Sequence, residues 1–278
     1  MNKLKDEINS TLKNIYHEYL VRTKNTMKMY TLGLAINDTI KIALLDNSVN
    51  ELLEKWEIKD IYLRASHDTH ISASTHFRIR DLFENIKDGI YINQLACSSL
   101  IELVAAFDDI MIELNDYFLP NLSRNKQVKK KPIVTYNGQS IHVNHKSLVY
   151  AYSIYRHCFD FTSNKIEPAI FFNNYENPFL WINDTISFRH SIIHTKGKLS
   201  NDEFNNIHTQ AKNYIYLDQN NNLNFTENSI DDIYHYHNIH IIDFINKMSD
   251  YKNETNEWYP VSYKQTPTKH IKYQDDKD

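Results

Sequence analysis

Apolar residues recur three and four positions apart along the first two dozen residues of the chain. The residues at this spacing are Leu4, Ile8, Leu12, Ile15 and Tyr19. Polar residues occupy most positions between them, and an α-helix places the apolar ones on one face, so the pattern predicts an amphipathic helix. Similar helical patterns follow at 27–45 and at 49–57.

The next two stretches differ sharply in pattern. Residues 58–83 fit neither the helical nor the strand period, and we expect a loop-rich connection there. Residues 90–118 are apolar over most of the helical circumference, and Pro120 follows shortly afterwards. This pattern predicts a central helix that is nearly fully buried.

Two hairpins are predicted in the second half of the chain. Asn137-Gly138 lies between alternating residues within 133–143, and this dipeptide is a strong short-range hairpin signal. The stretch 218–229 is rich in Asn and turn-like, which indicates a second hairpin over 214–226. Both hairpins are expected as insertions between helices.

Several further helices are predicted around these hairpins. Asn177-Pro178 marks a helix start, with Asn as the N-cap and Pro at the first helical position. Gly197 is a plausible stop for that helix. The other helical patterns span 147–161, 201–214 and 230–248.

The fold class predicted from these elements is mainly α, a helical bundle with one or two inserted β-hairpins. Only 4 glycines and 6 prolines punctuate the 278 residues, which leaves little material for Gly-rich phosphate loops or an all-β fold. We expect one domain over 1–260, with an N-terminal helical extension. Residues 261–278 are polar and are predicted to form a flexible tail.

Charge and cysteine content exclude some classes of protein. A formal net charge of −4 rules out a uniformly basic protein that coats nucleic acid. The two cysteines, Cys97 and Cys158, form no Cys-x-x-Cys pair, so neither a disulfide framework nor a thiolate zinc site is expected. No signal peptide or membrane span is predicted, and the expected location is the cytoplasm.

One segment is strongly basic in spite of the negative total. Residues 121–150 contain six Lys or Arg and no Asp or Glu. Two interpretations stay open for this segment, a solvated loop and a contact with an RNA backbone. Under the second, Lys129, Lys130 and Lys131 are candidate RNA-binding residues.

The candidate chemistry lies in Arg189-His190-Ser191-Ile192-Ile193-His194. Imidazole exchanges protons near neutral pH, and the always-charged guanidinium can hold a phosphate and the charge that develops on it. Such a pair can act on a phosphodiester without a metal. Residues five apart on a helix lie about 140° apart, so a second chain or a bent helix end is needed to bring both groups to one substrate.

This segment resembles the signature of the HEPN superfamily of helical ribonucleases, in which Arg and one of Asn, His, Asp or Gln precede three residues and a His. The helix predicted over 94–114, with Glu102 at the end of an apolar stripe, resembles the helix that packs beneath the motif in that family. The resemblance covers about residues 90–200, and the hairpin at 133–143 is an insertion in it.

The resemblance implies a homodimer whose two motifs face one another and form one composite, metal-independent endoribonuclease site without a cofactor. His194 is then the general base on a ribose 2′-hydroxyl or the general acid to the leaving oxygen, and Arg189 stabilises the phosphorane. His190 supports them by orienting the RNA or its neighbour. The expected products carry a 2′,3′-cyclic phosphate and a 5′-hydroxyl. Lys196 and Lys198 are additional candidate RNA contacts.

The biological role is also given by the resemblance alone. Such proteins commonly act as toxins or as abortive-infection effectors in antiviral defence against phage, so an antitoxin or regulatory partner is a further expectation.

Two other classes of protein stay open. One is a catalytically inactive RNA-binding or dimerisation module. A related structural interpretation is that Arg189 caps carbonyls near a helix C-terminus and His194 adds favourable charge there.

The other class is a metal-dependent phosphohydrolase. His67-Asp68 is a candidate metal-binding pair, with His70 and His76 nearby. His190 and His194 are themselves four apart, which is a metal-ligand spacing, but Ser191 stands where a zinc metalloprotease needs its glutamate. His235, His237 and His240 do not align on one helical face, and we expect them on an exposed or interface surface.

Overall fold

The structure is a computed structural model that describes residues 2–54, 57–64, 72–121, 133–136, 139–159, 165–166, 176–207, 214–226 and 228–253. This part of the chain is mainly helical, as predicted. It divides into two compact units, one of Met1–Met27 with Ser99–Asp278 and one of Lys28–Ser98. That both belong to one domain over 1–260 stays a prediction.

Helix α1 spans Asn2–Ala43 without a break, where the sequence pattern suggested two helices. Nothing between residues 20 and 27 ends a helix, because neither Gly nor Pro occurs there. Helix α2 follows at Asn47–Glu54. In the Lys28–Ser98 unit, Gly33 of α1 faces the side chain of Leu95, and an added Cβ would collide with it.

The prediction of a loop-rich connection over 58–83 is wrong. Strand β1, Glu57–Arg64, pairs antiparallel with β2, Ser72–Arg78, and helix α3 follows directly at Ile79–Lys87. The register shifts between Ile58 and Ile61, which marks a bulge or irregularity in β1. An extra residue in a strand interrupts the alternation of side chains, and this explains why the period-two signal was missed.

Helix α4 spans Ile90–Phe118, the bounds that the sequence predicted. Its buried residues in the first unit include Leu103, Phe107 and Leu114, while Glu102 and Asp109 are exposed. The helix is therefore largely buried but keeps a polar stripe. Because the apolar face is wide, burial of this helix contributes much of the hydrophobic stabilisation of the unit.

Strands β3, Ile133–Tyr136, and β4, Gln139–His142, form the predicted hairpin. Tyr136 pairs with Gln139 at the end of the ladder, and Asn137-Gly138 lies outside the described residues. Strand β5, Lys165–Ile166, adds to β3 in parallel. The second hairpin is also confirmed, with β6 at Ile215–Leu217 and β7 at Leu223–Phe225.

The remaining helices complete the core of the first unit. Helix α5 spans Lys146–Phe159, α6 Glu176–His194, α7 Asn201–Asn205 and α8 Ser229–Asn253. Residues from α1, α4, α5, α6 and α8 share one apolar cluster, for example Leu12, Phe107, Leu148, Ile182 and Phe244. Helices α4, α5, α6 and α8 thus surround a common core, and α6 packs against α8.

Several helix bounds differ from the predicted ones, since α2 ends at Glu54 instead of 57 and α8 extends to Asn253 instead of 248. Helix α6 begins at Glu176, so Asn177 lies inside its first turn and is not the N-cap. Helix α7 ends at Asn205, well short of the predicted end at 214, and strand β6 begins at Ile215. The basic residues Lys129 to Lys131 and the tail 261–278 lie outside the described residues.

In the part of the chain that the structure describes, no helix combines the length and the apolar character that a membrane crossing requires.

Candidate functional site

Helix α6 ends at His194, three residues before the glycine predicted to stop it. Lys196 and Gly197 have φ of 55° and 80°, so both adopt the left-handed conformation that ends a helix. The Gly197 N–H donates to the Ser191 carbonyl at 3.0 Å, and the Ser191 hydroxyl donates to the Lys198 carbonyl at 2.8 Å. The predicted helix stop is confirmed, and it places the motif on the last two turns of α6.

Arg189 forms an ion pair with Asp108 of α4. Its Nη1 donates to Asp108 Oδ2 at 3.1 Å, and the two side chains are 30% and 21% exposed. The Nε of Arg189 is buried and has no hydrogen-bond partner in the described part of the chain. Nη2 makes no hydrogen bond to these residues either, so it is the guanidinium nitrogen that remains for an anion.

Asp108 is held in turn by the start of α5. The Ser147 hydroxyl donates to Asp108 Oδ1, so each carboxylate oxygen accepts from a different segment of the chain. The carboxylate therefore joins three helices, α4 through its own backbone, α5 through Ser147 and α6 through Arg189. An arrangement of this kind fixes where the guanidinium lies relative to the core.

His145 caps α5 beside this ion pair. The Ser147 N–H donates to its Nδ1 at 3.3 Å, the bond of an N-cap residue to the second helical position. Nδ1 also lies 3.7 Å from Asp108 Oδ1. A hydrogen bond accepted by Nδ1 favours the neutral imidazole. Burial lowers the pKa of this imidazole and outweighs the raising effect of Asp108.

Asn183 of α6 fixes the segment before α5. Its Oδ1 accepts from the backbone N–H groups of Asn144 and His145 at 2.8 and 3.3 Å. Its Nδ2 donates to the His142 carbonyl at 3.3 Å. The buried Asn183 amide thus satisfies the end of the first hairpin and the beginning of α5 at once.

Two histidines of α8 lie beneath this network, contrary to the surface predicted for them. His237 and His240 are buried, whereas His235 is only partly so. The His237 ring stacks on Phe107 with centroids 4.3 Å apart and planes 8° apart. Neither His237 nitrogen has a hydrogen-bond partner among the described residues. Burial lowers the pKa of His237, and the neighbouring His145 and His240 lower it further.

His190 and His194 lie together on the exposed end of α6. Their rings are 4.4 Å apart between centroids and inclined by 44°. Lys196 and Lys198 follow directly and are exposed as well. The backbone of this segment is held by the second hairpin, since the Leu223 N–H donates to the Gly197 carbonyl at 2.7 Å.

The structure brings only part of the predicted site together. Within one chain His190 and His194 are neighbours, but Arg189 is directed to Asp108 and makes no hydrogen bond or ion pair to either imidazole. This separation agrees with the angle of about 140° between positions five apart on a helix. A single copy of the motif therefore does not place the guanidinium beside the His194 imidazole.

Glu102, which was predicted at the end of an apolar stripe of α4, makes no hydrogen bond or ion pair to the motif in the described part of the chain. Its side chain is exposed and pairs with Arg22 of α1, with Nη2 and Oε2 3.7 Å apart. The acidic residue that contacts the motif is Asp108, six positions further along α4. Position 108 shares a helical face with the buried Val104 and Met111, and it was missed because Asp109 beside it follows the exposed stripe.

A usable signal for Asp108 was present in the sequence. A carboxylate on the apolar face of a buried helix needs a cation or several donors, because an unpaired buried charge is costly. That requirement predicts a cation or several donors beside Asp108, but it does not say which residue supplies them. Ser147 and Asn183 offered no comparable signal, since each is a short polar residue whose role depends on which elements meet.

Metal binding by three or more side chains finds no support in the described residues, where no such group of His, Cys, Asp or Glu is assembled. The candidate pair His67-Asp68 and His70 lie outside those residues. For comparison with known proteins, no protein-family model matches the chain, and no curated protein or solved structure matches it.

Proposed function

We propose that this protein is a metal-independent endoribonuclease of the HEPN type. The observation that carries the proposal is the end of α6, where the motif combines a guanidinium fixed by Asp108 with an exposed imidazole at His194. A fixed cation and a solvent-accessible proton acceptor are the two groups that cleavage by a ribose 2′-hydroxyl requires.

His194 removes the proton from the 2′-hydroxyl or delivers one to the 5′-oxygen. Arg189 donates to the phosphorane oxygens, for which Nη2 is not engaged by other described residues. The bond that forms joins the 2′-oxygen to phosphorus, and the bond that breaks joins phosphorus to the 5′-oxygen. The products are a 2′,3′-cyclic phosphate and a 5′-hydroxyl end, and DNA resists because it lacks the 2′-hydroxyl.

A dimer supplies the proximity that one chain lacks. Arg189 and His194 of one copy make no contact with each other, so the proposal places the motif of a second copy opposite the first. Exposed His190, Lys196 and Lys198 add donors and positive charge that favour an RNA backbone at the same helix end. The biological setting proposed with this activity is that of a cytoplasmic toxin or abortive-infection effector.

The test is incubation of total RNA and a tRNA pool with the purified protein in EDTA, followed by analysis of the RNA ends. Cyclic-phosphate fragments from the wild type, absent with Arg189→Ala and with His194→Ala, support the proposal. Arg22→Ala is the matched control, because Arg22 also pairs with a carboxylate of α4 but lies outside the motif. Cleavage that needs added metal, or that survives His194→Ala, contradicts it.

A second candidate function is favoured by the ion pair between Arg189 and Asp108. Arg189 and Asp108 join α6 to α4, and this role accounts for an arginine at that position without any catalysis. The chain is then an RNA-binding or dimerisation module that lacks nuclease activity. RNA binding by the wild type with no new RNA ends distinguishes this candidate from the nuclease.

A further inference from the structure

The end of α6 carries a feature that general acid–base chemistry does not explain. His190 and His194 are four positions apart and exposed, with ring centroids 4.4 Å apart. Neither ring makes a hydrogen bond to the other described residues, so lone pairs on both imidazoles are available. We infer that His190 and His194 form a two-histidine binding site for a borderline transition-metal cation such as Zn²⁺.

The geometry is close to what such a cation needs. Two imidazoles bound at Zn–N distances of 2.0–2.1 Å with a tetrahedral angle have ring centroids about 5 Å apart. The observed separation of 4.4 Å is shorter by about half an ångström, a change that exposed side chains make by rotating about their Cα–Cβ bonds. Histidines four apart on one helical face are a recurrent pair of zinc ligands.

The electrostatic surroundings of the two imidazoles act on a cation in both directions. His194 is the last residue of α6, where the negative end of the helix dipole lies. The exposed Glu203 carboxylate is close enough to His190 that the two interact electrostatically. Lys196 and Lys198 oppose the cation, but both are exposed and their charges are screened by solvent.

The class of cation follows from the ligands. Imidazole nitrogens suit Zn²⁺, Cu²⁺ and Ni²⁺, whereas Mg²⁺ and Ca²⁺ prefer oxygen ligands. With two protein ligands the bound ion keeps water at its remaining positions, so it is held more weakly than in a closed four-ligand site. Such an ion binds reversibly and plays no part in holding the fold together.

The site bears on the proposed function, on which this step rests. A metal bound to His194 occupies the nitrogen lone pair that the imidazole needs to accept a proton. Zn²⁺ is therefore expected to inhibit the cleavage of RNA, although the reaction itself uses no metal. Inhibition of this kind differs from loss of folding because it is reversed by EDTA.

Binding is tested first, by calorimetric titration of the purified full chain with ZnCl₂ at pH 7.5. The wild type is expected to bind one more Zn²⁺ per chain than His190→Ala or His194→Ala, or to bind it at least about tenfold more tightly. His142→Ala is the matched control, since His142 is exposed but has no histidine four positions away. Circular dichroism checks that each variant is folded. Identical binding by the wild type and both motif variants overturns the site.

Cleavage is measured separately, with and without ZnCl₂, and then after EDTA. The expected result is inhibition of the wild type by Zn²⁺ at concentrations that saturate the calorimetric site, with full recovery in EDTA. In His190→Ala the fraction of activity that Zn²⁺ removes is smaller, whatever the basal rate. If RNA is never cut, the proposed nuclease fails, yet the titration still decides whether the metal site exists.

Discussion

The Asp108 carboxylate lies where α4, α5 and α6 meet, and it is the residue that determines the position of Arg189. Each of its oxygens accepts from a different helix. The ion pair between Arg189 and Asp108 is only partly buried. Its net contribution to the free energy of unfolding therefore lies between that of an exposed ion pair and that of a fully buried one. Removing the carboxylate charge leaves the Arg189 charge without its partner.

We expect Asp108→Asn to lower the free energy of unfolding by about 1–3 kcal/mol, measured by urea denaturation. Asp109→Asn is the matched control, because Asp109 is the next residue of α4 and its carboxylate is exposed. That control should change the free energy of unfolding by less than about 1 kcal/mol. Equal effects of the two substitutions would show that the ion pair with Arg189 contributes no more than a surface contact.

His237 is predicted to make the protein sensitive to acid. Its pKa is lowered in the folded state, so as the pH falls below 6.5 the unfolded chain binds a proton that the folded chain does not. The contribution of neutral His237 to the free energy of unfolding is therefore complete above pH 6.5. It is lost progressively as the pH falls from 6.5 to the lowered pKa of the folded state. His145, whose pKa is also lowered, adds to the loss in the same direction.

His237→Leu removes this titration and also two buried nitrogens that lack hydrogen-bond partners among the described residues. We expect the free energy of unfolding at pH 7.5 to stay the same or rise by about 1–2 kcal/mol, and to fall less between pH 6.5 and 5. His235→Leu serves as the comparison, since His235 is on the same helix but partly exposed. An unchanged pH dependence in His237→Leu would mean that another group accounts for the acid loss.

At the level of elements, the end of α6 is held by parts of the chain that are distant in sequence. The second hairpin forms backbone hydrogen bonds with the segment that follows the motif. The Leu223 N–H donates to the Gly197 carbonyl, and the Leu199 N–H donates to the Asn221 carbonyl at 3.1 Å. Beyond it, Ser200 and Glu203 form a capping box that starts α7. The segment after the motif therefore has a fixed path, which holds the backbone at the end of α6.

Gly197→Ala is predicted to disturb this path through backbone conformation alone. The residue has φ of 80°, and an added Cβ meets no atom within 4 Å, so the cost is the left-handed conformation, about 1–2 kcal/mol. Gly89→Ala is a closely matched control, with φ of 75° and equally open space. Both variants should lose similar stability in thermal unfolding.

Only Gly197→Ala should lower RNA cleavage beyond what its stability loss explains, because only Gly197 follows the motif. The comparison is made at a temperature where both variants are fully folded. If both cleave RNA as the wild type does, the conformation at the end of α6 is not required for the activity.

At the level of the whole molecule, the proposed site needs two copies of the chain. Arg189→Ala and His194→Ala are each expected to be inactive alone, while a mixed dimer contains one intact guanidinium and one intact imidazole. Unfolding the two variants together and refolding them should therefore restore part of the activity, with self-mixed samples as controls. Sedimentation at the same concentrations measures whether dimers form. No recovery in samples that contain mixed dimers would argue against a shared site.

The sequence by itself determined most of the helices and both hairpins of the second half of the chain. These elements carry local signals, because helical periodicity, Asn137-Gly138 and Gly197 act through neighbouring residues. Helix α4 was predicted to its terminal residues for this reason. The strand pair β1 and β2 was missed, since its pairing joins distant residues and a register shift hides its alternation.

The tertiary structure alone decided which side chains meet at the motif. Arg189, His190 and His194 were identified from their order in the sequence, but the partner of Arg189 is 81 residues away on α4. Likewise, His237 was expected at a surface and is buried against Phe107. The physical reason is that ion pairs and ring stacking depend on distances of a few ångströms between elements. Packing of the helices sets those distances, and no local pattern encodes them.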